Sequence, residues 1–230
     1  MSTDSALPGS GSMSFRRYRP EDLDTCAKLA QEAFPYGRGD PVRNQTEFTM
    51  EGYIESSLLW SNWSEVACVS DEVVGFLFGR IETTWKDRSR LKNSAMEVMM
   101  FARWILRDAS MLLRSLGLMW NVWITELKVA AHRPSSGAEI ELLIVDSHFR
   151  GKRIGKELVD RFLAVAGEAG VKVVTVYTED LQSNYQFYER YGFRKVATFR
   201  DDVTSYFAGK PSTAIIFALD LRRPTDAAKQ

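Results

Sequence analysis

The stretch Ala138–Val159, AEIELLIVDSHFRGKRIGKELV, changes period in its middle, and that change decides the fold. Residues 138–145 are β-prone, and a strand would hold Glu139 and Glu141, two apart, on one face. From Ile154 onward Leu158, Val159, Phe162, Val165 and Ala166 recur at helical spacing, and Gly170 is a stop signal. Between the two runs lies Arg150-Gly151-Lys152-Arg153-Ile154-Gly155-Lys156. A glycine-bearing turn that leads a strand into a helix presents unpaired backbone N–H groups at the positive end of the helix dipole, where a phosphate binds. Gly151 and Gly155 let backbone come close to a ligand, while Arg150, Lys152, Arg153 and Lys156 add positive charge. The spacing excludes a Walker loop, because the glycines are too close and no Ser/Thr follows Lys156; G-x-G-x-x-G is absent too.

The same alternation of strand and helix extends outward. Downstream, VKVVTVYT reads as a strand and SNYQFYERYGF as a short helix ended by Gly192. FRKVATFR and STAIIFALDL read as terminal strands joined by a loop containing Gly209-Lys210-Pro211. Upstream, SEVACVS and VVGFLFGRIETTW form an expected hairpin around Asp71-Glu72, and Thr46–Trp60 is a weaker helix candidate. SFRRYRPEDLDTCAKLAQEAF predicts a strand, a turn with Pro20 at a first helical position, and an amphipathic helix on Leu23, Cys26, Ala27, Ala30 and Phe34. The pattern is α/β, an α+β mixed sheet in one domain over residues 14–221, with tails at 1–13 and 222–230.

Composition narrows the function. Thirty basic residues balance 30 acidic ones, so there is no basic excess to drive nucleic-acid binding. Two cysteines, Cys26 and Cys68, make no disulfide framework and predict a cytoplasmic protein with both buried. Two histidines and no Cys-x-x-Cys pair predict no metal site. The most apolar stretch, Met96–Trp123, is interrupted by Arg103, Arg107, Asp108 and Arg114, short of the ~20 apolar residues of a span, and the N-terminus lacks a signal peptide's pattern.

One segment differs from the rest. Lys86–Ser136 holds Trp104, Trp120 and Trp123, five of the eight methionines, and nine basic against four acidic residues. It predicts one or two helices packed on the main body. Met and Trp also favour adaptable contacts, so a lid, a substrate wall or a surface pairing two copies into a homodimer stays open.

LLIVDSHFRGKRIGKELV followed by SNYQFYERYGF resembles the GNAT superfamily of acyl-CoA-dependent N-acyltransferases. The first is similar to its pyrophosphate loop and the second to its late Phe-Tyr-Glu-x-x-Gly-Phe helix; RRYRPEDLDTCAKLAQEAF resembles its opening strand and helix. The resemblance covers residues 15–85 and 137–221 and makes 86–136 a helical insertion between strands three and four of a GNAT-like fold. It implies acetyl-CoA as co-substrate, with Arg150 at the first position of the loop motif and Gly155 at the last. Arg153 replaces the first motif glycine. Gly151, Lys152, Ile154 and Lys156 complete the loop, main-chain groups of Leu143, Ile144 and Val145 pair with the pantetheine arm, and Asn184 contacts CoA.

The implied reaction moves an acetyl group to a primary amine of a small molecule or protein in a ternary complex. A protonated amine is no nucleophile, so a base must take its proton, and the leaving thiolate benefits from a donor. Tyr188 matches the family's general acid; otherwise it is a packed aromatic. Glu139 matches the base of the histone-acetylating branch, and Glu141 lies closer to the thioester; otherwise the pair is solvent-facing. A carboxylate before an apolar, Trp-lined cavity would have a raised pKa. His148 suits base chemistry by type but lies in the turn. Other readings are a catalytically silent acyl-CoA-binding module, which Arg153 favours, and an interaction protein built on the insertion.

Overall fold

The computed structural model describes residues 12–34, 50–84, 99, 111–181 and 184–222. The opening stretch forms strand β1 (Met13–Arg17), one residue earlier than expected, then a 3-10 turn (Pro20–Asp22) and helix α1 (Leu23–Ala33). Asp22 anchors this entry, accepting from Arg16 at 2.7 Å with both guanidinium nitrogens and from the Arg19 N–H at 2.8 Å. Helix α2 (Met50–Leu59) occupies the later part of the Thr46–Trp60 candidate. Strands β2 (Trp63–Val69) and β3 (Glu72–Ile81) form the expected hairpin. Its turn residues Ser70 (φ 51°) and Asp71 (φ 68°) are both left-handed, as the twist of a two-residue hairpin requires.

Helix α3 (Met111–His132) lies between β3 and strand β4 (Ala138–Val145). Residues 85–98 and 100–110, with Trp85 and Trp104, lie outside the described residues, as do most of the two expected tails. Helix α4 (Ile154–Glu168), strand β5 (Val173–Glu179), helix α5 (Gln186–Tyr191), strand β6 (Arg194–Arg200), helix α6 (Asp202–Ala208) and strand β7 (Thr213–Asp220) complete the chain. Helix α6 replaces the loop expected between the last two strands. Asp201 caps it by accepting from the Thr204 N–H at 2.8 Å, and Gly209 ends it in the left-handed region at φ 66°. No helix among the described residues is long and apolar enough to cross a membrane.

The seven strands form one sheet in the order β1-β2-β3-β4-β5-β7-β6, antiparallel except for β4 beside β5. On one face α4 buries Ile154, Leu158, Val159, Phe162 and Ala166 against Trp63, Leu77, Ile140 and Val174. Val165, expected on that stripe, is exposed. On the other face α1 and α2 bury Cys26, Ala30 and Ile54 against Val66, Phe76, Phe78 and Leu142. Phe162, fully buried, stands edge-on to Trp63 at 5.2 Å and fills the space over Gly79, where a Cβ would come within 2.5 Å of its ring. Phe162→Ala is expected to cost about 3–5 kcal/mol, read as a lowered denaturant midpoint at unchanged slope.

Candidate functional site

The register of β4 creates a gap in the sheet. Against β3, Phe78 faces Leu142 and Gly79 faces Ile140, so Glu141 is an extra residue, a bulge that bends the strand. Against β5, pairing is confined to Ala138–Ile140 opposite Val174–Val176. Strand β5 continues beside β7 to Glu179 while β4 turns away. The β5-facing edge of Glu141–Val145, which includes the expected Leu143, Ile144 and Val145, has no strand partner among the described residues and can accept an extended ligand.

Past this edge stands the glycine turn. Arg153 adopts the left-handed conformation (φ 62°), a region that favours glycine, and Gly151 is left-handed at φ 80°. Among the described residues no side chain caps α4, so its first N–H groups are open there. Arg150 and Arg153 are exposed and without ion-pair partners among the described residues. Lys152 sits over the Phe149 ring at 4.6 Å, and Lys156 pairs with Asp160 at 2.7 Å. Gly155 lies between Val145 and Phe187. Asn184, exposed, accepts from the Phe187 N–H at 2.9 Å at the entrance to α5.

Tyr188 on α5 is buried in the apolar cluster of Ile154, with Val145 packed against it; its ring meets Phe193 at 5.6 Å and Phe217 at 5.9 Å. Among the described residues nothing hydrogen-bonds its hydroxyl, and burial pushes the phenol pKa upward, so it is protonated at neutral pH.

The two glutamates share a face, as their spacing predicts, but Glu139 is buried and Glu141 half-buried. Arg80 of β3, opposite Glu139 in register, ties them together: it pairs with Glu139, lies 2.8 Å from Glu141 Oε1, and lies 2.9 Å from Glu82. Arg133, just beyond α3, takes the other oxygen of Glu139 at 2.5 Å. Glu141 is less well served. Its Oε1 is buried without a directed donor, because Arg80 lies near it off the hydrogen-bonding direction. Burial, then the charge of Glu139, pushes Glu141 up to about 8; burial pushes Glu139 upward as well, against Arg133 and Arg80. The pair titrates as a unit.

These groups line a cavity of about 110 Å³ where β4 and β5 part. Glu139, Ile140 and Glu141 come from β4 and Tyr177 from β5; Glu126, Val129 and Arg133 form a wall at α3. Helix α3 is docked there by Lys128 on Asp202 at 2.6 Å and by His132 stacked on Phe199 at 5.3 Å. Among the described residues the wall is therefore charged: Trp120 and Trp123 pack on each other at 5.4 Å and are exposed, while Trp85 and Trp104 lie outside the described residues. His148 is exposed, held by Asp146 at 2.9 Å, and does not line the cavity. Sequence reasoning passed over Arg80, Arg133 and Glu126, whose places depend on pairing between distant segments. It also passed over Tyr53 of α2, whose phenol burial pushes up to about 12, with the charge of Glu141 adding to the rise.

The model of the acetyltransferase (GNAT) domain family matches residues 120–195, which run from within α3 through the glycine turn and α5 to the start of β6. Solved structures share the architecture. A putative GNAT-family acetyltransferase from Desulfovibrio desulfuricans is 12% identical, with a TM-score of 0.52 over 91% of this chain and 99% of its own. An N-acetyltransferase from Staphylococcus aureus Mu50 is 14% identical, with a TM-score of 0.53 over 91% and 99%. An aminoglycoside 6'-N-acetyltransferase complexed with coenzyme A is 16% identical, with a TM-score of 0.53 over 92% and 99%. No curated protein matches in sequence. The parted strands and the open glycine turn fall within or beside the matched region: residues 120–195 are similar to a GNAT acetyltransferase domain, and the fold is that of the solved acetyltransferase structures.

Proposed function

We propose that this protein transfers an acetyl group from acetyl-CoA to a primary amine of a small molecule or protein, by direct attack in a ternary complex. The observation that carries the reading is the gap beyond Ile140, with Glu141 at its bulged mouth and the open N-terminus of α4 past its far end. The pyrophosphate would lie on the turn 150–156, with Arg150 and Arg153 supplying uncommitted positive charge, and the pantetheine along Leu143–Val145. Because Arg153 keeps a glycine-like backbone, its presence gives no support to a silent acyl-CoA-binding module. Two buried, unpaired cysteines support a cytoplasmic setting.

Glu141 takes a proton from the ammonium of the acceptor, directly or through water. The freed nitrogen attacks the thioester carbon; a C–N bond forms, the nitrogen releases its second proton to water, the C–S bond breaks, Tyr188 gives its proton to the departing thiolate, and Glu141 passes the proton it took to solvent. The products are the amide and CoA thiol, and the tyrosinate regains its proton from solvent. Glu139, with its oxygens held by Arg80 and Arg133, serves to position the network. The test is calorimetric binding of acetyl-CoA, followed by thiol release with an amine panel; no binding heat refutes the reading. Tyr188→Phe keeps the ring packing and is expected to lower kcat about a hundredfold at unchanged acetyl-CoA affinity, measured by steady-state kinetics.

A further inference from the structure

The wall at α3 carries a charge for which acetyl transfer itself has no use. Each cation at the cavity is committed among the described residues: Arg80 to Glu82, Glu139 and Glu141, Arg133 to Glu139, and Lys128 to Asp202. An acceptor bearing a carboxylate would therefore find no free partner there. Glu126 is the opposite case. It is exposed at the cavity rim and has no ion pair or hydrogen bond among the described residues. Its charge nevertheless reaches inward, raising the carboxyls of both Glu139 and Glu141. Among the described residues three carboxyls (Glu126, Glu139, Glu141) and one guanidinium (Arg133) line the cavity, with Arg80 pairing to Glu139 and Glu141, so carboxylates dominate its lining. Glu141, the base of the proposed reaction, and Glu126 line the same cavity, so an acceptor whose reacting nitrogen lies at Glu141 is within reach of Glu126.

We propose that Glu126 is a specificity-determining residue that selects acceptors with a second positive charge beyond the reacting amine, as in a diamine or polyamine. The inference rests on reading the cavity as the acceptor site of the acetyl-transfer reaction. Once the reacting amine has lost its proton to Glu141, the second ammonium keeps its own and pairs with Glu126 at the rim. A monoamine leaves that carboxylate to water, and an amino acid of the same length sets a carboxylate against it.

The test compares 1,4-diaminobutane, n-butylamine and 4-aminobutyrate at one pH, in the wild type and in Glu126→Gln, by thiol release and by calorimetric titration into the CoA complex. The wild type is expected to favour diaminobutane over butylamine by about 5- to 20-fold in kcat/KM, beyond the factor of two from its equivalent amines, with 4-aminobutyrate poorest. Glu126→Gln is expected to bring diaminobutane and butylamine within about twofold, and Glu126→Lys to move 4-aminobutyrate ahead. The side chain is exposed, so these variants leave the core intact. Equal turnover of the three probes by the wild type, or a diamine preference that survives in Glu126→Gln, overturns the proposal while leaving acetyl transfer standing. Diamine-selective binding that depends on Glu126, with no thiol released, supports the charge selection and counts against the acetyl-transfer reading instead. Binding of none of the probes, with no turnover, overturns the proposal.

Discussion

Glu141→Gln is expected to lower kcat by about 10²–10⁴-fold while leaving acetyl-CoA affinity within about twofold of the wild type. Glutamine keeps the shape of the side chain at the bulge and removes its capacity to accept a proton. Glu139 is the weaker candidate because Arg80 and Arg133 occupy its oxygens, whereas Glu141 Oε1 has no directed donor. The pH profile separates this account from a merely structural one. A base acts only when ionised, so with the Glu141 carboxyl up at about 8 the wild-type rate climbs with pH through that value and levels above it. Any limb that persists in Glu141→Gln belongs to the amine. Stability moves the other way. A carboxyl whose folded pKa exceeds its ordinary 4.5 holds a proton that the unfolded chain has lost, so its contribution is complete below about 4.5 and vanishes as pH rises through about 8. The variant, neutral at every pH, is expected to gain in Tm over the wild type between pH 5 and 9. Wild-type turnover by the variant with an unchanged profile would place the base elsewhere.

How much of this was legible follows from the range of the interactions involved. The strand, turn and helix of 138–168 depend on local period and on glycine, and they form as read; Gly170 and Gly192 end their helices in the left-handed region as expected. Glu139 and Glu141 were legible as a pair, but the burial of Glu139 was not. That follows from a register between β3 and β4 that sets Arg80 opposite Glu139 across the whole insertion. The bulge at Glu141 has no local signal either, since nothing in AEIELLIV distinguishes one extra residue from regular alternation. Glu126 on a helix flank reads as a solvated charge; only the docking of α3 through Lys128 on Asp202 and Arg133 on Glu139 brings it to the cavity. Helix α6 is a different kind of miss, because Asp201 and Gly209 were visible capping residues and Gly209-Lys210-Pro211 was read as the whole connection. Among the described residues of the insertion, α3 and Arg133 line the cavity while Trp120 and Trp123 are exposed.

Gly155→Ala is expected to raise the Tm of the ligand-free protein and to weaken acetyl-CoA binding at least tenfold, two effects that a packing defect would not produce together. Glycine inside a helix is less favourable than alanine by up to about 1 kcal/mol, because it loses more backbone freedom on folding. Gly155 is not in the left-handed region, so alanine meets no backbone strain. A Cβ there would lie 3.6 Å from Val145 and 3.7 Å from Phe187, ordinary contact, unlike the 2.5 Å clash with Phe162 at Gly79. The protein's own packing therefore makes no demand for glycine at 155. The demand comes from outside, from a pyrophosphate that must approach the first N–H groups of α4 beside the end of β4. A methyl group there narrows the slot between Val145 and Phe187 without altering any charge. Arg150→Ala is the complementary control, removing charge but adding no bulk, and is expected to weaken binding in a way that fades with added salt. Thermal unfolding without ligand and calorimetry with acetyl-CoA read the two effects of Gly155→Ala separately. A higher Tm with unchanged affinity would mean that the pyrophosphate does not sit on this turn.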